Sequence, residues 1–110
     1  MDAITPAETE RLADLFYAEA REDLVGLWEI VKEVEERTGP GEDAPERALE
    51  LVRALLRRGL RAGDSPYSAG GYRPWPNQEP DAVIDRIRRE WLALGRTPNI
   101  PDIAWFDLPS

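Results

Sequence analysis

The chain has 110 residues, a length typical of one domain that buries about 65% of its unfolded surface without covalent cross-links. It contains neither cysteine nor histidine, which excludes disulfides, zinc-thiolate sites, thiolate nucleophiles and imidazole bases. The net charge is −8, and residues 1–50 carry 15 acidic and 5 basic side chains against 7 and 9 in residues 51–110. Excess carboxylate often serves solubility, but an acidic first half also repels phosphate backbones and favours basic partners.

The first predicted element begins after a loose lead-in at residues 1–5. Thr5-Pro6-Ala7-Glu8 combines an N-cap threonine, a proline at the first helical position and a glutamate at the third, which is the capping-box pattern. Residues 6–38 are predicted to form a helix pair or one long helix. We favour two helices, because residues 21–23 are polar on every side. The apolar residues at helical spacing are predicted to face the core: Leu12, Leu15, Phe16, Ala20, Leu24, Leu27, Trp28, Val31 and Val34.

A row of glutamates lies opposite this apolar stripe. Glu29, Glu33 and Glu36 are three or four residues apart, so a helix places them on one face, with Lys32 beside them. Such a row is usually a solvated helix face. It also suits docking of a basic partner, because carboxylates steer the approach of a cationic surface. These three glutamates are therefore the candidate partner-binding residues.

Residues 43–59 are predicted to form the central helix. Asp43 is placed to cap it, and Glu46 lies at the third helical position. Apolar residues recur at helical spacing through the segment, and Gly59 supplies the left-handed residue that commonly ends a helix.

The second half alternates turn residues with short apolar segments. We expect a β-hairpin over residues 60–75, in which Pro74 confines the returning strand to an edge. Residues 80–95 are predicted to form a helix that ends at Gly95. Residues 102–108 are predicted to form a strand that pairs with the hairpin in a three-stranded sheet. Three tryptophans are expected to cluster between the sheet and the last helix, as core rather than as a ligand pocket: Trp75, Trp91 and Trp105.

These elements predict an α+β, mainly helical fold with three to four helices and a small antiparallel sheet. A helix followed by a glycine-rich hairpin gives a winged-helix-like outline, a scaffold that serves nucleic-acid binding and also protein contacts. A DNA-reading helix contacts bases and phosphates through its N-terminal half, which here carries Asp43, Glu46 and Glu50. The side chains available for nucleic acid are five arginines: Arg47, Arg53, Arg57, Arg61 and Arg73.

Several short motifs extend over most of the chain. They are Leu27-Trp28-Glu29-Ile30-Val31, Leu55-Leu56-Arg57-Arg58-Gly59-Leu60 with Gly63-Asp64, Tyr72-Arg73-Pro74-Trp75, Ile87-Arg88-Arg89-Glu90-Trp91 and Asp102-Ile103-Ala104-Trp105-Phe106. Taken together, the motifs resemble a group of short bacterial proteins, frequent in high-GC genomes, that carry no assigned activity. The resemblance implies a stand-alone small domain, and it transfers no catalytic residue.

The sequence has no phosphate-cradling glycine loop, calcium loop or serine nucleophile elbow. Two carboxylate pairs remain, Asp81 with Asp85 and Asp102 with Asp107, and both are explained as first-turn and strand-end residues. We therefore predict no enzymatic activity, no metal and no cofactor.

Two functions stay open. The first is a protein-protein interaction module, an adaptor or an immunity-like neutraliser of a basic protein, which the acidic first half supports. The alternative is a winged-helix transcriptional regulator that binds nucleic acid, which the helix-hairpin outline supports. No stretch approaches the roughly 20 apolar residues of a membrane span, and no leader pattern is present. We expect a cytoplasmic monomer or homodimer.

Overall fold

The computed structural model describes residues 5–39, 41 and 43–108. Within these residues the chain forms four helices and three short strands. The elements in chain order are α1 (Pro6–Ala20), β1 (Val25–Gly26), α2 (Leu27–Thr38), α3 (Ala44–Arg57), β2 (Arg61–Gly63), α4 (Pro80–Leu94) and β3 (Trp105–Asp107). The predicted α+β, mainly helical fold with a small antiparallel sheet is confirmed.

A polar turn divides the N-terminal apolar pattern into two helices, as the sequence favours. The capping box of α1 forms as predicted: the Thr5 hydroxyl accepts from the Glu8 N–H, and the Glu8 carboxylate accepts from the Thr5 N–H, both at 3.1 Å. These bonds satisfy amide groups that have no partner inside the helix. The turn also contains β1, which the sequence does not predict, because two residues are too few for an alternating pattern.

Strand β3 is the central strand of the sheet, with β1 and β2 antiparallel on its two sides. Phe106 is opposite both Val25 in β1 and Ala62 in β2, and its side chain is fully buried. The final strand is therefore where the sequence predicts it. It is shorter than residues 102–108, and it pairs with β1 as well as with β2.

The hairpin predicted over residues 60–75 is reduced to its first strand and one bridge. Gly63 forms an isolated antiparallel bridge with Pro74, and the Trp75 N–H donates to the Ala62 carbonyl at 2.9 Å. Because proline has no N–H to donate, the returning segment does not extend into a strand.

A side chain closes the outer edge of β2. The Gln78 amide oxygen accepts from the Ala62 N–H at 2.8 Å, and Nε2 donates to the carbonyls of Ala62 at 2.8 Å and Trp75 at 2.7 Å. The Gln78 amide thus pairs with both backbone groups of Ala62, as a neighbouring strand would. Unpaired strand edges can pair with strands of other chains. Gln78 leaves fewer unpaired backbone groups at the edge of β2.

Helix α3 lies at the centre of the helical layer, and α1, α2 and α4 all pack against it. Eight of its 14 residues are buried: Ala44, Ala48, Leu49, Leu51, Val52, Ala54, Leu55 and Leu56. Full burial of each leucine or valine side chain contributes about 1.5–3 kcal/mol. The helix is therefore the main support of the core.

The two ends of α3 differ in how well the sequence predicts them. Gly59 follows the helix with a φ of 97°, as predicted. Asp43 occupies the N-cap position that the sequence predicts, but the predicted side-chain cap is wrong, because the backbone of Asp43 is helical and its side chain makes no cap hydrogen bond. Its carboxylate lies 3.6 Å from Arg47 instead.

Three residues predicted for the core lie outside it, and one of them, Leu24, is half-buried between α1 and β1. Leu15 is 60% exposed, and Trp28 is only half-buried. Both line cavities between α1 and α2. The apolar stripe of the N-terminal helices therefore faces two environments, the core and a surface groove.

The predicted cluster of three tryptophans does not form. Trp75 is buried, but its ring packs under the Arg86 guanidinium, 3.7 Å from the ring centroid. Trp105 meets Tyr67 edge-on at 5.9 Å, and Trp91 is half-buried against the core. Each ring is held by a different neighbour.

Candidate protein-binding groove

Helices α1 and α2 pack mainly against α3 rather than against each other, which leaves a groove between them. Two adjoining cavities of about 210 and 260 Å³ lie in it. Helix α1 lines them with Leu12, Leu15, Phe16 and Glu19. Helix α2 lines them with Trp28, Glu29, Lys32, Glu33 and Glu36. These nine residues line what we term the α1–α2 groove.

The first of the two cavities is polar and the second is mostly apolar. In the polar cavity, four carboxylates and one ammonium surround Phe16 and Trp28, and Lys32 Nζ lies 5.9 Å from the centre of the Trp28 ring. The apolar cavity is lined by Leu12, Leu15 and Phe16 with two glutamates at its margin. The groove thus places apolar side chains next to charged ones, as at the border between the apolar core and the polar rim of an interface.

The three predicted partner-binding glutamates all line the groove. Glu29 accepts a hydrogen bond from the Gly26 N–H at 3.1 Å, which caps α2. Glu33 is paired with Arg37 at 2.8 Å, and Glu36 is exposed. The Glu36 side chain is therefore open to solvent, whereas Glu29 also has a structural role.

Sequence reasoning missed a fourth carboxylate, that of Glu19 on α1. The pKa of Glu19 is raised to about 7, mainly by partial desolvation of its carboxyl and then by a hydrogen bond and charge repulsion from Glu29. Near neutral pH the Glu19 carboxyl is therefore protonated part of the time. The pairing joins residues on different helices, and helical spacing within one segment carries no signal for such a contact.

Each cavity is small. Small-molecule sites commonly have volumes of about 300–1,000 Å³, and the two cavities, at about 210 and 260 Å³, are below that range. They are better suited to single side chains of a partner than to an entire small ligand.

The five arginines considered for nucleic acid do not form one surface. Arg47 and Arg57 line a cavity of about 250 Å³ between α1 and α3, together with Glu10 and Glu50. Arg53 faces α4 and is paired with Asp81 at 2.7 Å. The carboxylates in both places offset positive charge that would otherwise attract phosphate.

The other two arginines lie beyond the C-terminal end of α3. Arg61 belongs to β2 and is half-buried. Arg73 is exposed in the following loop, where its guanidinium packs close to Gly70. A continuous basic stripe, the usual footprint of a nucleic-acid surface, is therefore not formed by these five residues.

Helix α3 is poorly placed to act as a reading helix. A helix that enters the major groove of DNA presents an exposed face, whereas α3 is covered by three other helices. On its remaining surface Glu46 and Glu50 are exposed, and Glu46 is paired with Arg88 of α4 at 2.9 Å. The Arg88 guanidinium lowers the pKa of Glu46, which keeps that carboxylate negative.

Three of the four aspartates in the other candidate pairs, Asp81, Asp85 and Asp102, form ion pairs with arginines. Asp85 lies 3.2 Å from Arg88, and Asp102 lies 2.7 Å from Arg96, which lowers the pKa of Asp102. In residues 5–39, 41 and 43–108 no group of three or more carboxylates is arranged to hold a metal ion. The fourth aspartate, Asp107, accepts a hydrogen bond from the Leu108 N–H at 2.8 Å.

Comparisons with protein-family models, with curated proteins and with solved structures gave no match. The resemblance to a group of short bacterial proteins therefore stays a prediction. Among the helices in the described part of the chain, none combines the length and apolar character needed to cross a bilayer.

Proposed function

We propose that this chain is a protein-interaction module that binds a basic protein partner through the α1–α2 groove. The observation that carries the proposal is the groove itself, in which the exposed Leu15 and the half-buried Trp28 lie beside Glu33 and Glu36. Apolar contacts with an aromatic at the centre and charges at the rim are typical of protein interfaces. The carboxylates would steer a cationic partner towards the groove.

The proposed role is that of an adaptor or of a neutraliser that covers a basic protein, acting in the cytoplasm and without catalysis. The acidic first half of the chain, with a net charge of −10, supports this role. A field of this sign raises the association rate with basic partners and disfavours phosphate backbones. The burial of α3 and the ion pairs of Arg53 and Glu46 also favour a protein partner over nucleic acid.

The test is affinity capture from cells that express the tagged protein, followed by mass spectrometry. Two double variants are compared with the wild type. Glu33→Gln with Glu36→Gln removes two charges from the groove, whereas Glu22→Gln with Glu50→Gln makes the same charge change outside it. We expect one basic protein to be retained by the wild type and by the control, and to be lost with the groove variant.

Equal retention of that protein by all three chains would show that the groove is not the binding surface. Capture of no basic protein, together with a salt-dependent mobility shift of duplex DNA, would instead support the nucleic-acid function. The two readouts separate the two candidate functions.

A further inference from the structure

We propose that the element of the partner that occupies the α1–α2 groove is a basic amphipathic helix, which inserts an apolar side chain and a lysine or arginine about one turn apart. This inference rests on the proposed protein-binding function and adds the chemistry of the bound segment. The occupant of the groove is thus a helix of another protein, and not an extended peptide, a small molecule or a second copy of this chain.

The walls of the groove favour a helix. An extended peptide gains affinity by hydrogen bonding to an exposed strand edge, but both walls here are helices, whose backbone groups are already paired along most of their length. An extended segment would lose water from its own N–H and C=O groups without replacing those hydrogen bonds. A helix enters with its backbone groups satisfied internally.

The two cavities differ in chemistry in a way that defines two anchors. The apolar cavity beside Leu12 and Leu15 suits a leucine-like side chain. The polar cavity, lined by Phe16, Trp28 and the glutamates of α2, suits a cation that contacts a ring face and a carboxylate. The cavities share Phe16, Glu19 and Glu33, so the two anchors must be close together. Positions i and i+3 or i+4 of one helix meet this condition.

The raised pKa of Glu19 makes the cation site responsive to pH. The charged groups that line the polar cavity beside Glu19 are Glu29, Glu33, Glu36 and Lys32. A guest cation favours the ionised form of Glu19, so binding releases the proton that Glu19 holds part of the time near neutral pH. Affinity for a basic helix is therefore expected to fall about tenfold between about pH 7.5 and pH 6.

The probe is a synthetic peptide of about 18 residues, roughly five helical turns, built only from leucine, alanine and lysine. Its leucines lie on one helical face and its lysines flank that face. A control peptide has the same composition with the leucines distributed around the helix. Binding to the full chain is measured by titration calorimetry, and its location by backbone amide shifts in NMR spectra. We expect the amphipathic peptide to bind at least about tenfold more tightly and to shift amides of α1 and α2.

A matched pair of substitutions locates the apolar anchor. Leu15→Ser removes a side chain that is 60% exposed from the groove, and Leu92→Ser removes one that is 78% exposed from α4. Both leave the core intact, so both variants are expected to fold. Leu15→Ser is expected to weaken peptide binding about tenfold, and Leu92→Ser to leave it unchanged.

Three results would overturn the inference. These are equal binding of the two peptides, equal binding by the Leu15→Ser and Leu92→Ser variants, or a wild-type dimer that Leu15→Ser converts to a monomer. The last result would assign the groove to a second copy. If the captured basic protein depends on Glu33 and Glu36 while the peptide does not bind, the helix inference fails and the proposed function stands. If no basic protein is captured and the peptide does not bind, both the helix inference and the proposed function fail.

Discussion

Replacing Gln78 with alanine should destabilise the protein far more than its position in an irregular segment suggests. The substitution leaves the Ala62 N–H, on a fully buried residue, without a partner. An unsatisfied buried amide costs about 1–3 kcal/mol, and each further hydrogen bond lost costs about 0.5–1.5 kcal/mol net. The Ala62 carbonyl still accepts a hydrogen bond from the Trp75 N–H, whereas the Trp75 carbonyl loses the hydrogen bond that Gln78 donates to it. The expected loss is about 2–4 kcal/mol of unfolding free energy.

Urea denaturation followed by tryptophan fluorescence measures this loss as a lower midpoint at unchanged slope. The variant Gln78→Glu separates the acceptor from the donor. Its carboxylate still accepts from the Ala62 N–H, but at neutral pH it faces two carbonyl oxygens without a proton to donate. The destabilisation should therefore shrink as the solution is acidified and the carboxyl becomes protonated. A Gln78→Ala variant within about 0.5 kcal/mol of the wild type would refute the role of the amide at this edge.

Two further predictions concern packing and charge. Gly63→Ala should lower the free energy of unfolding by about 1–3 kcal/mol, because the added methyl group would lie 2.6 Å from the Tyr72 ring. The control is Gly41→Ala, whose added methyl group meets nothing within 4 Å and which should be neutral or slightly stabilising. Thermal denaturation compares the two variants. Equal melting temperatures would contradict this. The raised pKa of Glu19 means that the folded wild type holds a proton that the unfolded chain releases, and the stability linked to this proton is lost as pH rises through about 7. Glu19→Gln has no such proton. The stability of Glu19→Gln relative to the wild type should therefore increase as pH rises from about 5 to 8. Denaturation curves at several pH values measure this, with Glu22→Gln as the control for the same charge change. A pH-independent difference in unfolding free energy between Glu19→Gln and the wild type would disprove the prediction.

The helices are the part of the fold that the sequence predicts well. The capping box at Thr5 and the glycines after α3 and α4 mark helix ends by local chemistry alone, and both glycines adopt the expected positive φ. Local chemistry does not predict the position of β3 between β1 and β2, because the pairing of Phe106 with Val25 joins opposite ends of the chain. The predicted hairpin forms only in part: residues 73–75 pair with β2 through one bridge, whereas the extended strand partner of β2 is β3.

The candidate site was predicted in part. Spacing along one helix brings Glu29, Glu33 and Glu36 together, and all three line the groove. Spacing does not reveal which side of an apolar stripe faces the core, so Leu15 and Trp28 were predicted to be buried. Whether they line a groove depends on how far apart α1 and α2 lie on α3, which is a property of tertiary packing.

The central place of β3 determines the order in which the molecule can be completed during synthesis. Strands β1 and β2 are not neighbours in the sheet, and each acquires its partner only when Trp105–Asp107 has been made. Pairing between such distant segments is slow compared with helix formation. We therefore expect the sheet to form after the helices have begun to pack around α3.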